Sequence, residues 1–339
     1  MVFSLENNTQ RVGKLGKTKF TKNSVKLRIK LCETLCPVML KQTQMQTSRK
    51  LIDIISSKWM LLCLLLCLVL PLAIGTGLVL KSLPLLKTHS LGKLITSSNW
   101  SPSDGQFGFW PFIVGSLLVT AIALIICIPL CLLASIYLTQ FAPKWVLKFM
   151  RPVIDILAGI PSVVYGVWGV IVVVPFVGET LAPRFHVDSL GYSILAGGLV
   201  LAVMSIPYIL NMLLEVFRQI PVELSEASLS LGATKWETIK HVFLRKGRPG
   251  IFSAFGLGFS KALGETMAVL MVVGNVAQLP HSVFDAGYTL PALIANNYGE
   301  MMSIPSYDSA LMFGALLLFV IIIAINIVSR YIIYKAELV

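Results

Sequence analysis

An all-α polytopic membrane protein with six transmembrane helices and both termini in the cytoplasm is the fold that the sequence predicts, and three observations predict it. Of 339 residues, 56% are apolar and 13% are charged, with a mean hydropathy of +0.81. A soluble domain carries about 25% charged residues, so this chain lacks the side chains to cover a water-facing surface of ordinary size. The apolar residues are gathered into long runs, and the bases lie between the runs. The net charge of +12 is concentrated in residues 1–58, where twelve bases meet only Glu6, Glu33 and Asp53. Soluble enzymes, secreted disulfide scaffolds, disordered chains and nucleic-acid partners are excluded on this composition.

A bilayer core about 30 Å thick needs about 20 consecutive apolar helical residues, because an unpaired backbone group in hydrocarbon costs several kcal/mol. Six stretches meet that demand, at about 59–80, 112–138, 156–177, 192–214, 250–273 and 310–334. They divide the chain into a basic cytoplasmic extension, 1–58, and a membrane domain, 59–339. Lys and Arg are retained on the cytoplasmic side. With Arg330, near the C-terminal end of the last span, counted in the seventh, the first, third, fifth and seventh segments outside the spans hold 12, 3, 6 and 2 bases, and the other three hold 3, 1 and none. That alternation places both termini inside. The first apolar stretch is too long for a signal-peptide core and has no small-residue cleavage site behind it. Affinity of the basic extension for anionic membrane lipid is a secondary expectation.

The six cysteines form three C-x3-C pairs, Cys32/Cys36, Cys63/Cys67 and Cys127/Cys131. With no His or carboxylate to complete a ligand set, they read as small apolar residues. His89, His186, His241 and His281 all fall outside the spans, which argues against hydrolysis within the membrane.

The loop 215–249 spells a helix-turn-helix. Pro221 suits a first helical position, Gly232 a left-handed C-terminal cap, and Thr234 with Glu237 a reciprocal capping box. The second helix is expected to end before Gly247 and Pro249. Val222, Leu229 and Leu231 on the first helix, and Trp236, Ile239, Val242 and Phe243 on the second, need cover from membrane, bundle or partner. Glu226-Ala-Ser-Leu-Ser-Leu-Gly232, with Val242-Phe243-Leu244 ten residues later, resembles the EAA loop of ABC importer permeases. It departs from that pattern at Ser228, Val242 and Arg245. The resemblance implies that Glu226, Ala227, Ser228, Gly232, Ala233 and Thr234 dock on a cytoplasmic ATPase.

Lys261 and Glu265 break the fifth span. Burying a charge there costs about 2.5–3.5 kcal/mol, and such residues usually face a bundle interior or aqueous path. Four apart on a helix, they can pair. Gly256, Ser260 and Gly264 add a stripe of small residues suited to close helix crossing. Asp155, one turn from Arg151, is expected to pair with it at the membrane boundary.

Lys261-Ala-Leu-Gly-Glu-Thr-Met-Ala-Val269, the segment Gly159 to Gly166 with Trp168, the outer residues Trp100, Pro102, Phe107, Gly108 and Pro111, and Leu290 to Asn296 together resemble PstC-type permeases of phosphate ABC importers. Lys261 stands where that family usually has Arg, keeping the charge but losing the planar fork. The resemblance implies a type I ABC importer permease fold in the bacterial inner membrane and a place for Lys261, Glu265 and Thr266 on the path of inorganic phosphate. It implies no cofactor on this chain, and ATP and magnesium used by a partner subunit. The implied partners are a homologous PstA-type permease, a PstB-type ATPase dimer and a PstS-type phosphate-binding protein. The chain would not itself be an enzyme, and it lacks a G-x4-G-K-[ST] motif. A permease for molybdate or sulfate and a phosphate-sensing membrane subunit are the competing readings.

Overall fold

The computed structural model describes residues 22–102, 105–299 and 305–337; the start of the basic extension, residues 1–21, lies outside them. Almost everything described is helical, with one two-stranded hairpin pairing Trp100 with Phe107 and Ser101 with Gln106. The chain divides into two units, Met1–Leu72 and Ala73–Val339. In the first, the backbone is helical from Lys22, and apolar side chains such as Trp59, Leu62 and Leu66 are exposed, as suits contact with hydrocarbon.

Helix α1 is Lys22–Thr88, α2 is Leu91–Thr96 and α3 is Trp110–Phe141. Helix α4 is Lys144–Gly159, α5 is Ser162–Arg184 and α6 is Ile194–Arg218. Helix α7 is Val222–Ser230, α8 covers residues 235–263 and α9 is Met267–Val272. Leu290–Asn297 forms α10 and Pro305–Glu337 forms α11.

Among the described residues, five helical stretches are long and apolar enough to cross a membrane: Ile52–Thr88, Trp110–Phe141, Ser162–Arg184, Ile194–Arg218 and Ser306–Lys335. These correspond to five of the six expected spans, with two corrections. The third begins at Ser162 rather than near 156, because Ile160 and Pro161 are extended and separate α5 from the amphipathic α4. Proline disfavours helical geometry in the residue before it, and the Tyr165 hydroxyl bridges the gap by donating to the Leu157 carbonyl at 2.9 Å. The expected fifth span, 250–273, is not one helix. It consists of the end of α8 and the short α9, with residues 264–266 non-helical between them.

The interior is built in layers along the spans. Helices α3 and α6 pack along each other, and at the end nearer Ile239 and Phe243 their contact holds Cys127, Cys131, Leu213 and Phe217, all buried. Cys127 and Cys131 lie Sγ to Sγ at 3.4 Å, one helical turn apart, filling core space as small apolar groups do. At the other end the hairpin caps the bundle: Trp100 stands edge-on to Phe107, Phe109 and Phe112 at centroid distances of 5.7, 5.4 and 4.9 Å. The Ser116 hydroxyl accepts from the Leu290 amide at 2.8 Å and so fixes the start of α10 against α3.

Candidate functional site

The site has two parts, a helical pair outside the bundle and a charged, interrupted helix within it, and α8 belongs to both. Helix α7 starts after Pro221 (φ −59°, ψ 134°), which precedes the first helical residue rather than occupying it. It ends on Gly232 at φ +87°. The Gly232 amide donates to the Leu229 carbonyl at 3.0 Å and the Ala233 amide to the Ser228 carbonyl at 3.3 Å, the paired bonds of a Schellman cap. The next helix opens with the capping box that the sequence predicts. Thr234 donates from its amide (2.7 Å) and its hydroxyl (2.8 Å) to the Glu237 carboxylate, and the Glu237 amide donates back to the Thr234 hydroxyl at 3.3 Å. The Thr234 amide, then its hydroxyl, hold the Glu237 carboxyl below the usual carboxylate range.

The two helices differ in burial, which the sequence did not resolve. On α8, Ile239 and Phe243 are buried in the same cluster as Phe217 and Ile220 and anchor the second helix to the bundle. Helix α7 buries no side chain at all. Leu231 is 89% exposed, Val222 66% and Trp236 57%, so self-packing does not cover this face. Glu226 and Ala227 are exposed with it, and the half-buried Ser228 ties α7 to α8 through its hydroxyl, 3.0 Å from that of Thr238. An exposed apolar surface of this kind marks an interaction site.

The second helix does not end before Gly247 and Pro249. It runs through both without interruption and continues into the membrane. The loop and the charged span are therefore one element.

That element carries Lys261 to within two residues of its end. The predicted Lys261–Glu265 pair is not formed: among the described residues the ion pairs are Lys81–Asp308 and Arg218–Glu215. The physical reason is the end of the helix. An i,i+4 contact needs continuous helix, and α8 stops at Leu263, so Glu265 leaves the face that Lys261 occupies. Lys261 instead places its Nζ 4.1 Å from the centroid of the Tyr208 ring on α6, a cation–π contact. One turn along α6, Asn211 donates from Nδ2 to Asp155 on α4 at 3.0 Å. Asp155 thus meets Asn211, and no ion pair joins it to Arg151 among the described residues. Tyr208 and Asn211 escaped sequence reading. The available signal was two polar side chains at i,i+3 just after Pro207, in a span otherwise rich in aliphatic residues.

At the break, Thr266 has φ −113° and ψ −61°, its hydroxyl donates to the Gly264 carbonyl at 3.3 Å, and α9 starts directly after it. Lys261 is exposed, and Glu265 and Thr266 are half-buried. Non-helical backbone at membrane depth is tolerated where protein covers it or where it lines a water-filled cavity. The small-residue stripe behaves as predicted at two of its three members. A Cβ on Gly256 would lie 2.6 Å from the Ser329 hydroxyl of α11, and the Ser260 hydroxyl is 3.0 Å from Asn326 Oδ1. Gly264 falls in the break.

Residues 128–336 match the model of the binding-protein-dependent transport system inner membrane component family. The chain belongs to that family. It is accordingly a multi-pass component of the inner membrane, in a class of transport permeases whose systems depend on a binding protein. The chain is 36% identical over 248 residues to the phosphate transport system permease protein PstC of Xylella fastidiosa (strain 9a5c), covering 69% of this chain and 76% of that one. A protein of Bacillus subtilis (strain 168) described as probable ABC transporter permease protein YqgH is 39% identical over 242 residues, 70% and 77% of the two chains. The PstC of Haemophilus influenzae is 36% identical over 288 residues, 80% of this chain and 90% of its own.

Proposed function

We propose that this chain is the transmembrane permease subunit of an ATP-driven importer of inorganic phosphate. It supplies half of the translocation pathway and pairs with a homologous permease of the PstA type. A PstS-type binding protein delivers phosphate from outside, and two PstB-type ATPase subunits, which use ATP and magnesium, dock on the paired cytoplasmic loops. The observation that carries the reading is the break at residues 264–266 directly beyond Lys261. A helix interrupted in the membrane exposes backbone amides able to replace part of the hydration of an anion, and the lysine beside it supplies the compensating charge. The names of the relatives support phosphate as the cargo. On this reading α8 and α9 together make the fifth of six crossings, and both termini face the cytoplasm. Glu226, Ala227, Ser228, Gly232, Ala233 and Thr234 form the contact with the ATPase, while Lys261, Glu265 and Thr266 belong to the pathway.

The test is purification of the assembled complex from its native membrane, identification of the bound subunits, and reconstitution into vesicles with a phosphate-binding protein outside. ATP-dependent uptake of radiolabelled phosphate should survive an excess of molybdate or sulfate. Uptake abolished by either competitor, or a complex without a nucleotide-hydrolysing subunit, would overturn the proposal.

A further inference from the structure

Between α3, α8 and α11 lies an apolar groove of about 370 Å³, floored by Leu124, Ile128, Phe255, Phe259, Ala324 and Val328. Phe252 and Phe255 also line the adjoining cavity of about 530 Å³, whose rim carries Lys240, His241, Arg245 and Arg248. No acidic side chain lines either space. Lys240, Arg245 and Arg248 have no ion-pair partner among the described residues.

We propose that this groove binds an anionic phospholipid of the inner leaflet, with an acyl chain between the three helices and the headgroup on the basic rim. Its depth fits one leaflet. From Phe252 to Phe259 the helix rises about 10 Å, inside the roughly 15 Å that half of a hydrocarbon core provides. The bases lie on the side of the groove toward the cytoplasmic loop, where anionic headgroups are met. The site is separate from the charged path. Lys261 points toward Tyr208 on α6, and a Cβ on Gly258 would meet Ile209 of α6 at 2.6 Å, so α8 turns one face to α6 and another to the groove. A transmembrane helix of another subunit would fill the apolar part but leave the rim uncompensated. A phospholipid satisfies both chemistries, and its headgroup would fix the end of α8 that enters the membrane.

The test uses the assembled complex, delipidated in detergent and titrated with phosphatidylglycerol or phosphatidylcholine, with bound lipid counted by native mass spectrometry. Phosphatidylglycerol should be retained in preference. The double variant R245Q/R248Q should bind it about thirtyfold more weakly, the order expected when two bases facing anionic headgroups are lost. Ala324→Trp, which leaves every charge in place, should also exclude lipid by filling the groove. The control K144Q/K148Q, altered at exposed positions on α4, should retain it. Equal retention of the two lipids, wild-type retention by R245Q/R248Q, or a partner helix seated in the groove of the assembled complex would each overturn the proposal.

Discussion

Replacing Gly232 isolates the turn between α7 and α8 from the rest of the molecule. Its φ of +87° is one that a Cβ-bearing residue adopts at a cost of about 1–2 kcal/mol, and the cost is highest for β-branched side chains. A Cβ built there meets no heavy atom within 4 Å. No steric penalty is added, and the whole effect is backbone strain at the Schellman cap. Strain of that size leaves a membrane domain folded, but it is comparable with the roughly 0.5–1.5 kcal/mol of each cap hydrogen bond. Relaxation should therefore come from opening the turn and reorienting α7. Gly232→Val should insert and assemble, yet lose most phosphate uptake while the ATPase activity of the complex no longer responds to the loaded binding protein. Gly232→Asn, which tolerates the left-handed region, should retain most of the coupling. Equal, wild-type uptake by the two variants would refute the argument.

Three further outcomes follow from the geometry. Lys261→Arg should keep more uptake than Lys261→Ala, and Tyr208→Leu should lower it further than Tyr208→Phe because the latter retains a ring face worth about 0.5–2 kcal/mol to the cation; vesicle uptake assays read both series. Glu237 has its folded-state pKa lowered by Thr234, so its contribution is present above the ordinary glutamate range and is lost as pH falls through the folded value. Amide exchange at residues 234–238, corrected for intrinsic rates, should accelerate on acidification below that range in the wild type but show no such step in Glu237→Gln. Gly256→Val should push α8 from α11, since its Cβ would lie 2.6 Å from the Ser329 hydroxyl. Overpacking of this kind costs about 1–3 kcal/mol, and thermal unfolding in detergent should report it.

Hydropathy and charge alternation made the long uncharged spans legible, because length and apolarity alone decide whether a helix can cross the bilayer. Local chemistry made the cap at Gly232 and the Thr234–Glu237 box legible, because every group involved lies within a few residues. What escaped depends on distance in the chain or on competition between signals. Pairing Lys261 with Glu265 by helical spacing assumed a continuous helix, and Tyr208, 53 residues earlier, could not be found from spacing at all. Gly247 and Pro249 were read as stops, yet the apolar contacts of Ile239, Phe243, Ile251 and Ala254 hold α8 in one piece across them. Burial was the deciding quantity in the loop as well. Its two amphipathic helices look alike in sequence, but one is rooted in the bundle and the other is bare.

Continuity of α8 gives it the mechanics of a stiff rod. The buried Ile239 and Phe243 root it in the bundle near one end. From Phe243 the rod extends about 12 Å back to Lys235 and about 27 Å forward to Lys261. Because Ile239, Phe243, Ile251 and Ala254 are buried in one cluster, a push on residues 235–238 travels along the rod toward Lys261 instead of being absorbed at a joint.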